Sequence, residues 1–165
     1  MVRVARFEKV SLRRFVADWV ATFPLQTVEQ AVAAYERIRL PERATSGSAG
    51  YDLFAPVGFE LGAGEGIKIP TGLRVLIEEG WVLTIYPRSG LGFKYRFQLD
   101  NSVGVIDSDY ARSDNEGQIF MRMTNDSREG KTLIVPSGTA FAQGIFLPFG
   151  ITVDDDARGI RNGGL

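Results

Sequence analysis

Neither cysteine nor histidine occurs among the 165 residues of the chain. Their absence excludes a thiolate nucleophile, a disulfide, a zinc–thiolate cluster, an imidazole base and a histidine metal site. Any chemistry must therefore rely on carboxylates, guanidinium groups, hydroxyls, amides and the backbone. A participating metal would be a hard cation such as Mg²⁺, which prefers oxygen ligands.

Long apolar runs and an excess of charge of one sign are also missing. No apolar run reaches the roughly 18 residues of a membrane span, so no membrane partner is expected. The formal net charge of −1 gives no global attraction for nucleic acid. The alternating segment 1–7 is typical of a strand and not of a signal peptide. We therefore expect one domain over 1–165 and a cytoplasmic location.

Strong helical periodicity is confined to residues 11–39. Apolar side chains follow the predicted N-cap Ser11 at helical spacing: Leu12, Phe15, Val16, Trp19, Val20 and Phe23. Pro24 ends this pattern, and Thr27 with Gln30 forms a capping-box pattern for a second helix. The segment is therefore predicted to be an antiparallel helical hairpin inserted near the N-terminus.

Residues 44–150 have a different pattern, in which short β-like runs alternate with glycine, proline and asparagine. The candidate strands are Tyr51–Ala55, Gly66–Ile77, Trp81–Tyr86, Val103–Asp107, Gln118–Thr124, Thr132–Val135 and Thr139–Leu147. Such spacing is typical of a mainly β sandwich, barrel or jelly roll. The polar, glycine-rich tail 153–165 is predicted to be a mobile arm.

One chemically interesting segment, Arg88-Ser89-Gly90-Leu91-Gly92, follows the apolar run Trp81–Tyr86. Glycine lets backbone N–H groups approach an anion closely, and arginine supplies a charged fork. From these residues alone, the segment is either an anion site or an ordinary turn.

Other polar residues interrupt or follow apolar strands. Asp107 comes directly after the β-branched run that ends at Ile106, where a carboxylate can serve as a general base. Asp52 would be costly inside a strand unless it is paired or serves a cation. Gln143 also breaks an apolar run, although a lone glutamine there is more often structural. Asp109 is interpreted as part of a polar turn or as a supporting group.

The order and spacing of four segments resemble the motifs of the trimeric dUTP pyrophosphatase (dUTPase) family. These segments are Ala49–Leu53, Pro87–Leu91, Asn101–Tyr110 and Ala142–Gln143. The resemblance covers roughly residues 40–150, plus the strand within 1–10. It implies a jelly-roll-like dUTPase β-clip fold, a homotrimer with active sites at subunit contacts, and hydrolysis of dUTP to dUMP and pyrophosphate.

The resemblance also implies residue roles. Asp107 matches the catalytic aspartate that orients the attacking water, and Asp52 and Gln143 match positions that hold Mg²⁺ through its water shell. The implied phosphate contacts are Arg88, Ser89, Gly90, Gln143 and Arg161. The implied uracil and deoxyribose contacts are Asn101, Gly104, Val105, Ile106 and Tyr110. Tyr110 would pack under the deoxyribose and leave little space for a 2′-hydroxyl.

The sequence departs from the family pattern in three places. Residues 111–116 lengthen the third motif and are expected to form a surface loop. Residues 11–39 are an insertion, expected to cover the β body or a neighbouring subunit. The closing glycine-rich arm is represented by 161–165, with Leu165 at the position of an aromatic residue, and Arg161 fits the arm arginine better than Arg158. We expect this arm to continue in the native protein, with a curtailed lid as the alternative.

Two other functions stay open beside a Mg²⁺-dependent dUTPase that keeps uracil out of DNA and supplies dUMP. The dCTP deaminases share the fold, but they carry a glutamate in the strand where this chain has Arg122. A dUTPase-like regulatory trimer would bind a partner through residues 11–39. Retention of the motif residues favours the dUTPase.

Overall fold

The computed structural model describes residues 1–163, and the predicted mainly β fold is confirmed. Its strands are β1 (Ala5–Lys9), β2 (Tyr51–Phe54), β3 (Phe59–Leu61), β4 (Gly66–Pro70), β5 (Leu73–Ile77), β6 (Trp81–Pro87), β7 (Phe97–Leu99), β8 (Gly104–Ile106), β9 (Phe120–Asn125), β10 (Leu133–Val135) and β11 (Ala140–Pro148). Its helices are α1 (Leu12–Thr22), α2 (Val28–Glu36) and α3 (Ser89–Tyr95), with a 3₁₀ turn at Tyr110–Arg112. The expectation for Leu165 lies outside the described residues.

Every strand pairing within residues 1–163 is antiparallel, and the strands form four small sheets. The largest sheet has the order β2-β11-β6-β8, and a three-stranded sheet has the order β4-β9-β7. The strand pairs β1-β5 and β3-β10 complete the set. One hydrophobic core draws buried side chains from all four sheets, among them Leu53, Leu73, Phe97 and Leu133. No helix in the described part of the chain is long and apolar enough to cross a membrane.

The predicted helical hairpin packs on the β body of its own chain. Ser11 caps α1, and the capping box of Thr27 and Gln30 begins α2, as the sequence pattern indicates. Phe15 and Trp19 are fully buried and belong to the same core as the strands. The insertion therefore covers this chain's own sheets.

The prediction of one strand over Gly66–Ile77 is wrong, because Thr71 and Gly72 separate β4 from β5. Gly72 has a φ of +71°, a conformation that side-chain-bearing residues rarely adopt. A Cβ at this position would overlap Ile38 and lie 2.9 Å from Phe15 Cδ2. The break therefore makes the room in which the helical hairpin packs.

Trp19 is the largest fully buried side chain of the insertion. The centroid of its ring lies 5.0 Å from that of the Phe15 ring and 4.9 Å from that of the Phe23 ring. Its Nε1 donates to Gln26 Oε1 at 2.7 Å. We expect Trp19→Ala to lower the free energy of unfolding by about 3–5 kcal/mol, because it leaves a cavity in the core.

Urea unfolding at fixed protein concentration measures this change. Leu25→Ala is the matched control, since Leu25 lies between the same two helices and is 97% exposed. The control should change stability by no more than about 0.5 kcal/mol. Equal stabilities of the Trp19 variant and the control would show that Trp19 contributes nothing to the core.

Candidate functional site

A pocket of about 500 Å³ opens between the edges of two sheets. β7 is an edge strand of the three-stranded sheet and β8 is an edge strand of the four-stranded sheet. The turn between them contains Ser102 with a φ of +67°. Because an edge strand uses only one of its two rows of backbone groups in the sheet, β8 can offer N–H and C=O groups to a ligand.

The residues with implied nucleoside roles converge on this pocket. It is lined by all five of them, namely Asn101, Gly104, Val105, Ile106 and Tyr110. Asp107 and Arg161 line it as well. Lys68 and Arg122 also line it, although the sequence predicts no nucleoside or phosphate role for either residue. Lys68 lies on β4 and Arg122 on β9, in the neighbouring sheet. The pairing of two strands that are distant in the chain cannot be predicted from the spacing of residues in the sequence.

Arg161 brings the C-terminal arm onto two carboxylates at the pocket. Its Nη2 donates to Asp107 Oδ2, and its Nε donates to Asp109 Oδ1 at 2.8 Å. The hydrogen bond to Asp109, together with the negative charges of both aspartates, outweighs burial and raises the pKa of Arg161. The neighbouring Asn162, with its amide oriented to satisfy both atoms, donates to Asp114 at 2.6 and 2.9 Å.

The described part of the arm, residues 153–163, contains no helix or strand. Residues 153–160 are exposed, and the contacts of Arg161 and Asn162 fix the next two positions against the pocket. Arg161 lines the pocket and Arg158 does not. Of the two arginines considered for the arm, Arg161 is therefore the one that lies at the pocket.

A second cluster lies outside the pocket lining and joins β2, β11 and the end of β6. Arg88 Nη1 donates to Asp52 Oδ2 at 2.6 Å, so the carboxylate inside the strand is paired. Asp52 faces Gln143 in the register of β2 and β11. Gln143 Nε2 donates to the carbonyl oxygen of Pro87 at 3.4 Å. We name Asp52, Arg88, Ser89, Gly90 and Gln143 the phosphate cluster, after the contacts that the resemblance implies. None of these five residues lines the pocket.

The segment after Arg88 is a helix and not an ordinary turn. Arg88 is the N-cap of α3, and Ser89 and Gly90 form its exposed first turn. The N–H groups of a first helical turn have no intrahelical acceptor, so they can donate to an anion. The sequence did not predict α3, because Gly90 and Gly92 are poor helix formers.

The expectation of a surface loop at 111–116 is wrong in part. Ala111 and Ser113 are buried, and Ala111 belongs to the 3₁₀ turn that begins at Tyr110. Gly117 has a φ of +72°, and a Cβ there would lie 2.5 Å from Ala111 Cα. The segment is therefore folded tightly back on itself, and Gly117 is the one sequence signal for that closure.

Tyr110 is held at the pocket by its hydroxyl. The side chain is 8% exposed, and its Oη donates to the carbonyl oxygen of Gln118 at 2.8 Å and accepts from Asn115 Nδ2 at 2.9 Å. Burial is the largest influence on the hydroxyl and raises the pKa of Tyr110. The two hydrogen bonds fix the phenol ring at the pocket.

Comparison with known proteins places the chain among enzymes of one family. The family model described as dUTPase matches residues 36–160. The deoxyuridine 5′-triphosphate nucleotidohydrolase of Lactococcus lactis is 42% identical over 120 residues, which are 72% of this chain and 79% of that protein.

Solved structures agree with that placement. The crystal structure of dUTPase from Streptococcus mutans has a TM-score of 0.64 and 33% identity, and the match covers 88% of this chain and 97% of that chain. A dUTPase from phage phi11 of S. aureus, whose structure is described with a structural Mg(II) ion, has a TM-score of 0.65 at 20% identity, over 95% of this chain and 98% of that chain. This chain belongs to the dUTPase family.

Proposed function

We propose that this protein hydrolyses dUTP to dUMP and pyrophosphate as a Mg²⁺-dependent homotrimer. The observation that carries the proposal is the convergence of Asp107 and the five nucleoside-side residues on one pocket. Family membership supports the same reaction. In the cell, this activity would keep uracil out of DNA and supply dUMP, with the cytoplasm as the proposed location.

The pocket suits a uracil deoxyribonucleoside. The free backbone row of β8 forms a fixed pattern of donors and acceptors, and cytosine differs from uracil in that pattern at N3 and at the exocyclic group. A site that hydrogen-bonds one pattern rejects the other, because its buried polar groups would be left unpaired. The buried ring of Tyr110 would leave a 2′-hydroxyl without hydrogen bonds, which disfavours ribose.

The phosphate cluster suits a triphosphate with Mg²⁺. No group of three or more acidic residues within 1–163 could form a metal cage. Asp52 supplies one carboxylate, which is already paired with Arg88, and Gln143 supplies an amide oxygen. This sparse oxygen set fits Mg²⁺, which keeps several waters and takes its other ligands from substrate phosphates. When bound, the ion would offset the negative charge of the triphosphate.

Asp107 is the residue proposed to orient the attacking water. Its carboxylate lines the pocket and can accept a hydrogen bond from a water aimed at the α-phosphorus. Positioning the water in this way supplies a large part of the rate in such reactions. The Arg161 guanidinium that now pairs with Asp107 and Asp109 would find stronger anionic partners in the phosphates.

The separation of the two halves of the site supports the proposed trimer. One chain carries the nucleoside pocket and the phosphate cluster as sets with no common residue. In a cyclic homotrimer, the pocket of one subunit can face the phosphate cluster of the next. Each complete site would then lie at a subunit contact.

Deamination of dCTP is the competing reaction, and the residues that line the pocket disfavour it. The lining contains Arg122 where the deaminase family has its glutamate, and Arg122 forms an ion pair with Asp100, with Nε 2.9 Å from Oδ2. Within the described residues, no glutamate lines the pocket.

Incubation with dUTP and, separately, with dCTP tests the proposal when pyrophosphate and ammonia are both measured. We expect pyrophosphate from dUTP alone, and its loss when Mg²⁺ is chelated. Ammonia from dCTP would transfer the assignment to the deaminases. Neither product from either nucleotide, with a folded trimer present, would favour the regulatory interpretation.

A further inference from the structure

The two departures from the family pattern within the folded body, the helical insertion and residues 111–116, meet at the N-terminus of α1. Glu116 accepts hydrogen bonds from the backbone N–H of Ser11 at 2.7 Å and from the Ser11 hydroxyl at 2.6 Å. The two residues lie 105 positions apart in the chain. One carboxylate therefore binds the N-cap of α1 with both of its oxygens.

A second contact joins α1 to Gln118, two residues before the start of β9. Gln118 is fully buried, and its Nε2 donates to Asp18 Oδ2 on α1. Asp18 is itself held by Arg14, whose Nε donates to Oδ2 at 2.9 Å. Residues 110–118, named here the Tyr110 segment, are thus fastened to α1 at two points.

The attachment of Glu116 to Ser11 holds the Glu116 backbone in a conformation that is unfavourable by itself. Glu116 has a φ of +59°, a left-handed conformation that is unfavourable for a residue with a side chain. Burial opposes its ionisation, but the two bonds from Ser11 and the charges of Arg74 and Arg14 outweigh burial and lower its pKa. An ionised carboxylate that accepts two hydrogen bonds can hold the strained backbone in place.

Both attachment points are connected to Tyr110 by hydrogen bonds of its hydroxyl. The Tyr110 hydroxyl donates to the carbonyl oxygen of Gln118, whose side chain contacts α1. The same hydroxyl accepts from Asn115, the residue before Glu116. The Tyr110 hydroxyl is therefore held by Gln118 and by Asn115, each of which is, or adjoins, a residue that α1 contacts.

We propose that α1 sets the sugar selectivity of the pocket by fixing Tyr110 through Ser11–Glu116 and Asp18–Gln118. Glu116 and Gln118 are positioning residues in this account, since they act on the nucleotide only through Tyr110. The inference rests on the proposed function, because it assumes that the pocket binds a deoxyribonucleoside. It gives the insertion a role in specificity beyond covering the core.

The test is a double-mutant cycle on the full chain with Ser11→Ala, Glu116→Ala and both together. The quantity measured is the ratio of kcat/KM for dUTP to kcat/KM for UTP. We expect Glu116→Ala to lower this ratio by about tenfold and Ser11→Ala to lower it less, because the backbone N–H of residue 11 still donates to Glu116 after the hydroxyl is removed. The double variant should lower the ratio no further than Glu116→Ala, because that substitution already removes both hydrogen bonds. The change should fall in the KM values, with kcat for dUTP kept, and Glu116→Gln should restore part of the ratio.

Thr27→Ala is the matched control. It removes the cap of α2, whose side chain bonds Gln30 and makes no hydrogen bond to the Tyr110 segment. It should lower Tm by about 2–4 °C without changing the selectivity ratio. An unchanged ratio in Glu116→Ala would overturn the inference, and so would an equal loss in Thr27→Ala, which would show a merely structural effect.

Binding of dUMP and UMP, measured by calorimetry on the same variants, separates this inference from the proposed function. If the wild-type protein hydrolyses neither nucleotide but prefers dUMP, and Glu116→Ala loses that preference, the proposed reaction fails and the inference holds. If the wild-type protein shows no preference for the deoxyribonucleotide, the inference fails.

Discussion

Asp107→Asn should reduce kcat for dUTP by about 10²–10⁴-fold, the usual contribution of a positioned acid–base group. The substitution keeps the size of the side chain but removes the carboxylate that accepts a proton or a hydrogen bond from the attacking water. Because the amide fills the same space in the pocket lining, KM should stay close to the wild-type value. Steady-state kinetics with pyrophosphate detection measures both quantities.

Asp109→Asn is the control that separates chemistry from charge. Asp109 shares Arg161 with Asp107, and the two aspartate side chains are similarly exposed, at 48% and 44%. An exposed ion pair contributes little, so this variant should lose no more than about fivefold in kcat. If the two variants lose activity equally, the effect comes from the pairing with Arg161, and Asp107 does not have the assigned role.

Two inactive variants should restore activity when they form trimers together. Arg88→Ala removes a proposed phosphate contact and leaves Asp52 without its partner, and the loss of such a contact costs about 10²–10³-fold in kcat. If each site combines the pocket of one subunit with the phosphate cluster of the next, mixed trimers contain some sites with both halves intact. Random assembly of equal amounts of Arg88→Ala and Asp107→Asn chains should return about a quarter of wild-type activity.

The control for this experiment is each variant unfolded and refolded by itself, which should stay inactive. Native mass spectrometry of differently tagged chains must show that mixed trimers have formed. Mixed trimers without recovered activity would mean that each chain builds its site alone. That outcome would refute the shared site while leaving the reaction itself in place.

Local features of the sequence predicted much of the fold because local energetics decide them. The apolar stripe that includes Phe15 and Trp19 forms α1, since a helix must bury one face. Ser11 and Thr27 cap the two helices because their hydroxyls satisfy N–H groups that the helix leaves free. Most candidate strands match observed ones to within one or two residues, since runs of β-branched and aromatic residues are broken by turn residues.

The errors arise where distant segments decide the local structure. Gly72 ends β4 because Phe15 and Ile38 approach it from the insertion, and neither residue is near it in sequence. The sequence pattern does not predict β3 or β7, which have three residues each and are held by pairing with the distant strands β10 and β9. Short elements of this kind depend on the partners that the fold brings to them.

The candidate site shows the same division. The motif residues could be named from their order in the sequence, and the pocket brings together those for which the resemblance implies nucleoside roles. The pairing of Arg161 with Asp107, 54 positions apart, and the binding of Ser11 by Glu116 follow only from the folded chain. Sequence spacing also gave no sign that the phosphate cluster and the pocket are separate in one chain.

Hydrolysis of dUTP in ¹⁸O-labelled water identifies both the products and the phosphorus that the water attacks. A water oriented by Asp107 toward the α-phosphorus should give dUMP that carries one ¹⁸O atom, together with unlabelled pyrophosphate. Label in pyrophosphate, or release of inorganic phosphate with dUDP, would contradict the proposed reaction.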